Sequence, residues 1–143
     1  MPKAGKKKSK STSFAFGGAK RKKARARVII REGTGQYRIN GRGINSISNK
    51  YIRDMLTEPL DLSGKDVSKL DILVNVSGGG IMGQVDAIRG AVARALVKYF
   101  NDPSLESHFF GLEKSYIVND VRQVESKKYR RRKARAKYQK SYR

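Results

Sequence analysis

Apolar and polar side chains alternate first at Ala24, Ala26, Val28 and Ile30, which are separated by Arg25, Arg27, Ile29 and Arg31. This is the period-two pattern of a strand with one buried face, and arginines line most of the other. Gly33-Thr34-Gly35 then turns the chain into Gln36-Tyr37-Arg38-Ile39, which Asn40-Gly41 closes, so the spacing predicts a hairpin between these two strands. Ser48 is placed to cap a short helix carrying Ile52, Met55 and Leu56, expected to stop near Pro59 because that ring cannot continue it. Leu70, Ile72, Val74 and Val76 alternate with Asp71, Leu73, Asn75 and Ser77, the clearest strand signal in the chain. After Gly78-Gly79-Gly80 the period changes. Ile81, Val85, Ile88, Val92, Ala95, Leu96 and Tyr99 fall within roughly 100° of a helical wheel, predicting one long helix packed on the sheet. Asp102-Pro103 reads as an N-cap followed by proline at the first helical position, with Leu105, Phe109 and Leu112 on one face of a shorter helix. Tyr116, Ile117 and Val118 are assigned to a last short strand. The order β-β-α-β-α-α predicts a small two-layer α/β sandwich.

Charge changes the picture by dividing the chain. The 143 residues hold 33 Lys and Arg against 12 Asp and Glu, a net charge of +21. Residues 1–27 carry eleven cations and no acid, residues 28–120 eleven of each sign, and residues 121–143 eleven cations against Glu125 alone. A neutral body with two basic arms is the pattern of interaction tails, and so much like charge calls for a polyanion or an acidic surface, nucleic acid first among them. The expected organisation is an N-terminal arm over 1–23, disordered when free of RNA, a globular body over 24–120, and an extended tail over 121–143. In the tail, Tyr129, Tyr138 and Tyr142 interrupt the cations, pairing phosphate contacts with rings that stack on exposed bases. From Lys127 to Arg143 an extended chain at ~3.3 Å per residue reaches ~55 Å.

Catalysis finds little support. The chain has no cysteine and one histidine, His108, so a thiolate nucleophile and a histidine metal cage have no residues to draw on, and no nucleophile, base and orienting acid can be assembled around the single histidine without inventing contacts. Asp54 with Glu58, and Asp61 with Asp66, read as partners of body cations rather than as acid–base pairs. No cofactor, metal or small-molecule substrate is expected. No apolar run reaches the ~18 to 20 residues of a membrane span, and no apolar signal core follows the basic N-terminus. Gly78-x-Gly80-x-x-Gly83 has the strand-to-helix context of a dinucleotide fingerprint, but Asp102 reads as a helix cap where a ribose-binding acid is required. A phosphate loop fails because Gln84 and Val85 replace its Lys and Ser or Thr. Two uses of the glycines remain: an anion on free amides at a helix N-terminus, or tight packing of the turn.

These residues together resemble the universal small-subunit ribosomal protein number nine family in its archaeal or eukaryotic cytosolic form. The matching pieces run from Lys20-Arg21-Lys22-Lys23-Ala24-Arg25-Ala26-Arg27 through Gly33-x-Gly35, Asn40-Gly41 and Glu58-Pro59-Leu60. They continue with Asp71, Gly78-Gly79-Gly80-x-Met82-Gly83-Gln84, Ala87-Ile88-Arg89 and Ala93-Arg94-Ala95-Leu96, and close with Glu125-Ser126-Lys127-Lys128 and the run Ala134 to Arg143. Gly83 before Gln84 favours the archaeal form. Two departures stand out: Val121 where the family often has proline between Asp120 and Arg122, and Arg130-Arg131-Arg132 in a stretch commonly rich in glycine.

The resemblance implies a fold like the second domain of small-subunit protein number five, with a left-handed β-α-β crossover. Periodicity alone predicts the right-handed form. It implies a structural protein of the small-subunit head, cytoplasmic within the ribosome, lying on ribosomal RNA beside other head proteins. The residues expected on ribosomal RNA are Lys20, Arg21, Lys22, Lys23, Arg25 and Arg27, the glycines Gly78, Gly79 and Gly80, and Lys127, Lys128, Arg130, Arg131, Arg132, Lys133 and Arg135. Those expected at peptidyl-site transfer RNA are Lys137, Tyr138, Lys140, Tyr142 and Arg143. Two rivals fit parts of the pattern: a nucleoid or chromatin compaction protein, which does not need three tyrosines in one arm, and a small nucleotide-binding enzyme built on the triple glycine.

Overall fold

The computed structural model describes residues 14–142. Five strands, β1 (Phe14–Arg21), β2 (Ala24–Glu32), β3 (Tyr37–Ile39), β4 (Arg42–Gly43) and β5 (Leu70–Ser77), form one sheet in the order β1-β2-β5-β3-β4. Three helices, α1 (Lys50–Leu62), α2 (Ile81–Phe100) and α3 (Pro103–Leu112), complete the two layers, with single 3-10 turns at Ile44–Ser46 and Lys114–Tyr116. Neighbouring strands are antiparallel except β3 and β5, which are parallel, and α1 lies in the connection between them. The two-layer α/β architecture expected from the hydrophobic pattern is the one observed.

Strand β1 corrects the domain boundary. Phe14–Arg21 falls within the basic arm expected over 1–23, yet it pairs along its whole length with β2, from Phe14 opposite Arg31 to Arg21 opposite Ala24. Ala15 and Gly17 are buried against α2. A Cβ on Gly17 would lie 2.1 Å from the Ala91 carbonyl oxygen and 2.8 Å from the Ala95 Cβ, so the helix backbone rests directly on the strand. This small-on-small seam is why α2 reads Gly90, Ala91, Ala95 rather than Leu or Ile on that side. The free edge of β1 is occupied as well: the Arg94 guanidinium donates to the carbonyls of Gly18 (2.7 Å) and Ile117 (3.0 Å) and to Asn119 Oδ1 (2.8 Å). The Lys20 amide donates to the same Asn119 oxygen. The Gly18 carbonyl and the Lys20 amide, two edge groups that would otherwise be open to another strand, are thereby occupied.

The expected hairpin between β2 and β3 is also corrected. β5 inserts between them, and the Gly33–Gln36 loop crosses its N-terminal end. Asp71 holds that loop, accepting from the amides of Thr34 (2.8 Å) and Gln36 (3.2 Å) with Arg31 at 3.5 Å. The carboxylate fills the space a Cβ on Gly33 would need, and its amide hydrogen bonds lower its pKa from the ordinary carboxylate value. The true hairpins are β1–β2, closed by Lys22-Lys23, and β3–β4, closed by Asn40-Gly41. Asn40 takes φ 49°, and its side chain gives to the Val76 carbonyl and accepts from the Val76 amide, extending the β3–β5 ladder by one pair.

Helix α1 is capped by Asn49 rather than Ser48 and runs through Pro59 to Leu62. Proline removes one backbone hydrogen bond and crowds one carbonyl, but leaves later amides free to bond. Pro59 is itself buried, which offsets part of that cost. The Asp102 cap of α3 is as expected, its side chain accepting from the Ser104 amide. Leu112, however, is exposed, and Tyr116 to Val118 form no strand: Lys114–Tyr116 is a 3-10 turn that delivers Tyr116 into the core. There it packs on Phe109, while its hydroxyl meets Arg89 at 2.8 Å and burial pushes its pKa up to about 12. Arg89 also binds Glu58 (2.6 Å) and Glu113 (3.2 Å), tying α1, α2 and the final turn together.

Candidate nucleic-acid interface

The β1–β2 turn and the glycine loop meet at one end of the sheet. Arg25 sits opposite Lys20 on β1 and Ser77 on β5, so the register fixes Lys20–Arg25 against Ser77–Gly80. Between them lies a groove of about 790 Å³ lined by Lys20 to Lys23, Arg25, Ser77 to Gly83, Asp86, Gln123 and Val124. The first six cations expected from the sequence therefore share this end of the sheet with the three glycines, except that Arg27 lies one row further along the strand, opposite Gly18 and Asn75.

The glycines divide between the two uses left open. Gly78 and Gly79 have φ of 77° and 67°, and a Cβ there would lie 2.6 Å from the Lys23 carbonyl oxygen and 2.9 Å from the Ala24 nitrogen. They let the loop close on the hairpin. Gly80 meets nothing within 4 Å and caps α2 with no side-chain hydrogen bond, so the first-turn amides of a 20-residue helix face the groove unoccupied by a cap. That helix end carries partial positive charge. Gln84 clips the loop from below, donating to the Gly78 carbonyl at 3.0 Å. Ile81 and Met82 stay largely exposed at the rim.

Five cations of this end, Lys20, Lys22, Lys23, Arg25 and Arg27, form no ion pair with a described residue. Arg21 differs: its side chain is largely buried between Asp86 (3.8 Å) and Asp120 (3.2 Å), where it supports the groove floor. Asp120 is also bonded by Arg122 at 2.6 Å, and these hydrogen bonds hold its carboxyl far below the usual carboxylate range. This Asp120–Arg21 link brings the chain from the Lys114–Tyr116 turn to the tail past the groove mouth, where Gln123 and Val124 join the lining.

The tail cations are not gathered into the groove. Lys128 and Arg135 both approach Glu125, at 3.8 and 2.9 Å, and Arg130 lies over the ring of Tyr129. Lys127, Arg131, Arg132, Lys133, Lys137 and Lys140 do not line the groove. Tyr129, Tyr138 and Tyr142 are each more than 70% exposed. Arg143 and the first thirteen residues lie outside the described part of the chain. Sequence reasoning missed Gln123 and the aromatic pair Phe14 and Phe16, and gave Gln84 no part in holding the glycine loop. The alternation Phe14-Ala15-Phe16-Gly17 was the available signal for the two rings.

His108 is exposed on α3, and among the described residues no cluster of three or more His, Cys, Asp and Glu is arranged to hold a metal ion. None of the described helices is long and apolar enough to cross a membrane. A doubly wound dinucleotide fold is excluded by topology, because α2 leads into α3 instead of a further parallel strand.

Comparison with known proteins gives a consistent picture. The sequence pattern of ribosomal protein S9/S16 matches residues 19–143. The small ribosomal subunit protein uS9 of Halobacterium salinarum is 44% identical over 125 residues, covering 87% of this chain and 95% of that protein. Those of Picrophilus torridus and Thermoplasma acidophilum are 46% and 47% identical over 124 residues, covering 87% of this chain and 93% and 96% of theirs.

Proposed function

The chain belongs to the ribosomal protein S9/S16 family, whose members are structural proteins rather than enzymes, and from that premise we propose that it holds ribosomal RNA of the small-subunit head in the hairpin–glycine groove. The observation that carries this reading is the convergence of unpaired cations with an uncapped helix N-terminus in one concave site. Lys20, Lys22, Lys23 and Arg25 supply charge for phosphates, and the amides beyond Gly80 supply directed donors. The protein works in the cytoplasm as part of the ribosome, beside neighbouring head proteins.

The tail carries the second half of the proposal. Lys127, Lys128, Arg130 to Lys133 and Arg135 run along ribosomal RNA, and Lys137, Tyr138, Lys140, Tyr142 and Arg143 reach the anticodon stem-loop of peptidyl-site transfer RNA. Their support is composition and exposure: cations no more than three residues apart from Lys127 to Arg143, with aromatic rings open to solvent. Truncation tests it. Small subunits carrying a chain without Lys140 to Arg143 should assemble in normal yield and bind transfer RNA several-fold more weakly in filter assays at matched salt. Equal affinity would refute the tail's role.

A further inference from the structure

Among the described residues, no element covers the face of the sheet away from the helices. Its side chains form four rows across β1, β2 and β5: Lys20–Arg25–Ser77, Gly18–Arg27–Asn75, Phe16–Ile29–Leu73 and Phe14–Arg31–Asp71. Phe14 and Phe16 are 61% and 56% exposed, an unusual position for two large rings on adjacent outward sites of one strand. They contact each other edge to face, with centroids 5.3 Å apart and planes at 74°, so each ring is braced by the other. Gly18 places no side chain between the Phe16 ring and Lys20, and a Cβ there would meet nothing closer than the Ala26 carbonyl at 3.9 Å. An open step therefore runs from the ring to the basic rows.

Charge decides what this face suits. Arg25 and Arg27 are outward and without described ion partners, Arg31 is half-exposed, and the face's one acid, Asp71, is committed to Arg31 and the Gly33–Gln36 loop. Lys20 and Arg25 belong both to this face and to the groove, so the two surfaces are continuous. Aromatic rings flanked by arginines match a strand of nucleic acid whose bases are unpaired: the rings take base faces and the cations take the phosphates. Duplex RNA, with its bases stacked on one another, offers the cations phosphates but the rings nothing.

We propose that Phe14 and Phe16 form a stacking platform for an unpaired RNA base, with Arg25 and Arg27 on the flanking phosphates, so that RNA leaving the groove continues across the open sheet face. This rests on the groove binding RNA. Both rings lie outside the family-matched region 19–143.

The test uses the full chain with a short single-stranded oligoadenylate and a blunt RNA duplex of equal length. Phe16→Ala, and Phe14→Ala with Phe16→Ala, should weaken oligoadenylate binding about five- to tenfold, the low end of base–aromatic stacking, with unchanged salt dependence and unchanged duplex affinity. Phe16→Tyr should restore binding. Arg25→Gln with Arg27→Gln should weaken both ligands and lower the salt slope by roughly 1 to 2. Both phenylalanines are exposed, so an unaltered melting curve is the accompanying control. Unchanged oligoadenylate affinity in the phenylalanine variants overturns the platform; if the arginine variants still fall, the groove reading stands. Loss of a neighbouring protein from subunits carrying the phenylalanine variants, with oligoadenylate binding intact, overturns it in favour of a protein contact.

Discussion

Replacing Gly17 with alanine is expected to destabilise the fold by about 3 kcal/mol, the upper part of the range for overpacking a core. The added Cβ would sit 2.1 Å from the Ala91 carbonyl oxygen, 2.8 Å from the Ala95 Cβ and 2.9 Å from the Ala95 nitrogen. Carbon contacts are optimal near ~3.5 Å, so β1 and α2 must separate by about an ångström. All three obstructing atoms are backbone or Cβ, so no rotamer change relieves the clash. Separation would also strain the Arg94 hydrogen bond to the Gly18 carbonyl at the strand edge. For a body of this size the loss corresponds to a melting temperature lower by ~10 °C or more. Gly18→Ala is the internal control, because its Cβ would point to open space beyond 3.9 Å and should change stability by less than ~0.5 kcal/mol. Urea and thermal unfolding followed by circular dichroism measure both. Equal stability in the two variants would mean that β1 does not rest on α2, and residues 14–21 would return to the status of an arm.

Arg89→Leu should cost about 1–3 kcal/mol, below the ~3–5 of a fully buried pair because Glu58 and Glu113 are 39% and 49% exposed and can rehydrate; Glu113→Gln should cost far less in the same unfolding assay. Asp71, Asp66 and Asp102 all have folded-state pKa values below their unfolded ones, so their stabilisation is complete above the unfolded carboxylate pKa of ~3.9 and is lost as pH falls through the folded values. Melting temperature should therefore be level from neutral pH to about 5 and fall in acid, less steeply in Asp71→Asn, and an acid limb identical in that variant would contradict the role given to Asp71. Gly79→Ala should weaken RNA binding and stability together, because the loop must leave the hairpin, whereas Gly80→Ala should leave stability within ~1 kcal/mol; the reverse order would invalidate the division of labour among the glycines.

Much of the fold was legible because its central pieces obey simple periods. β5 alternates strictly, α2 buries its apolar stripe from Val85 to Leu96 while the expected first member, Ile81, is exposed, and Asp102-Pro103 is a strong helix start. What escaped had a physical reason in each case. Phe14–Arg21 holds two glycines and no β-branched residue, so its strand character comes from pairing with β2 and from the seam with α2, not from local propensity. The insertion of β5 between β2 and β3 is a long-range choice, secured by Asp71 reaching back to Thr34 and Gln36 across more than thirty residues. Pro59 was read as a stop, but tertiary burial carries α1 past it. At the site, the cations and glycines were visible as sequence, while their meeting depends on Arg25 pairing with both Lys20 and Ser77. The inward use of Arg21 was hidden for the same reason: within a basic run nothing distinguishes the one cation that turns toward Asp86 and Asp120.

Ultraviolet crosslinking of assembled small subunits, with the attached peptides identified by mass spectrometry, addresses the groove most directly. Ribosomal RNA should be found on peptides containing Lys20 to Arg25 and on those containing Ser77 to Gly83, in addition to the tail. Crosslinks confined to residues 127–143, with the hairpin and the glycine loop joined only to protein, would contradict the assignment of this groove to RNA.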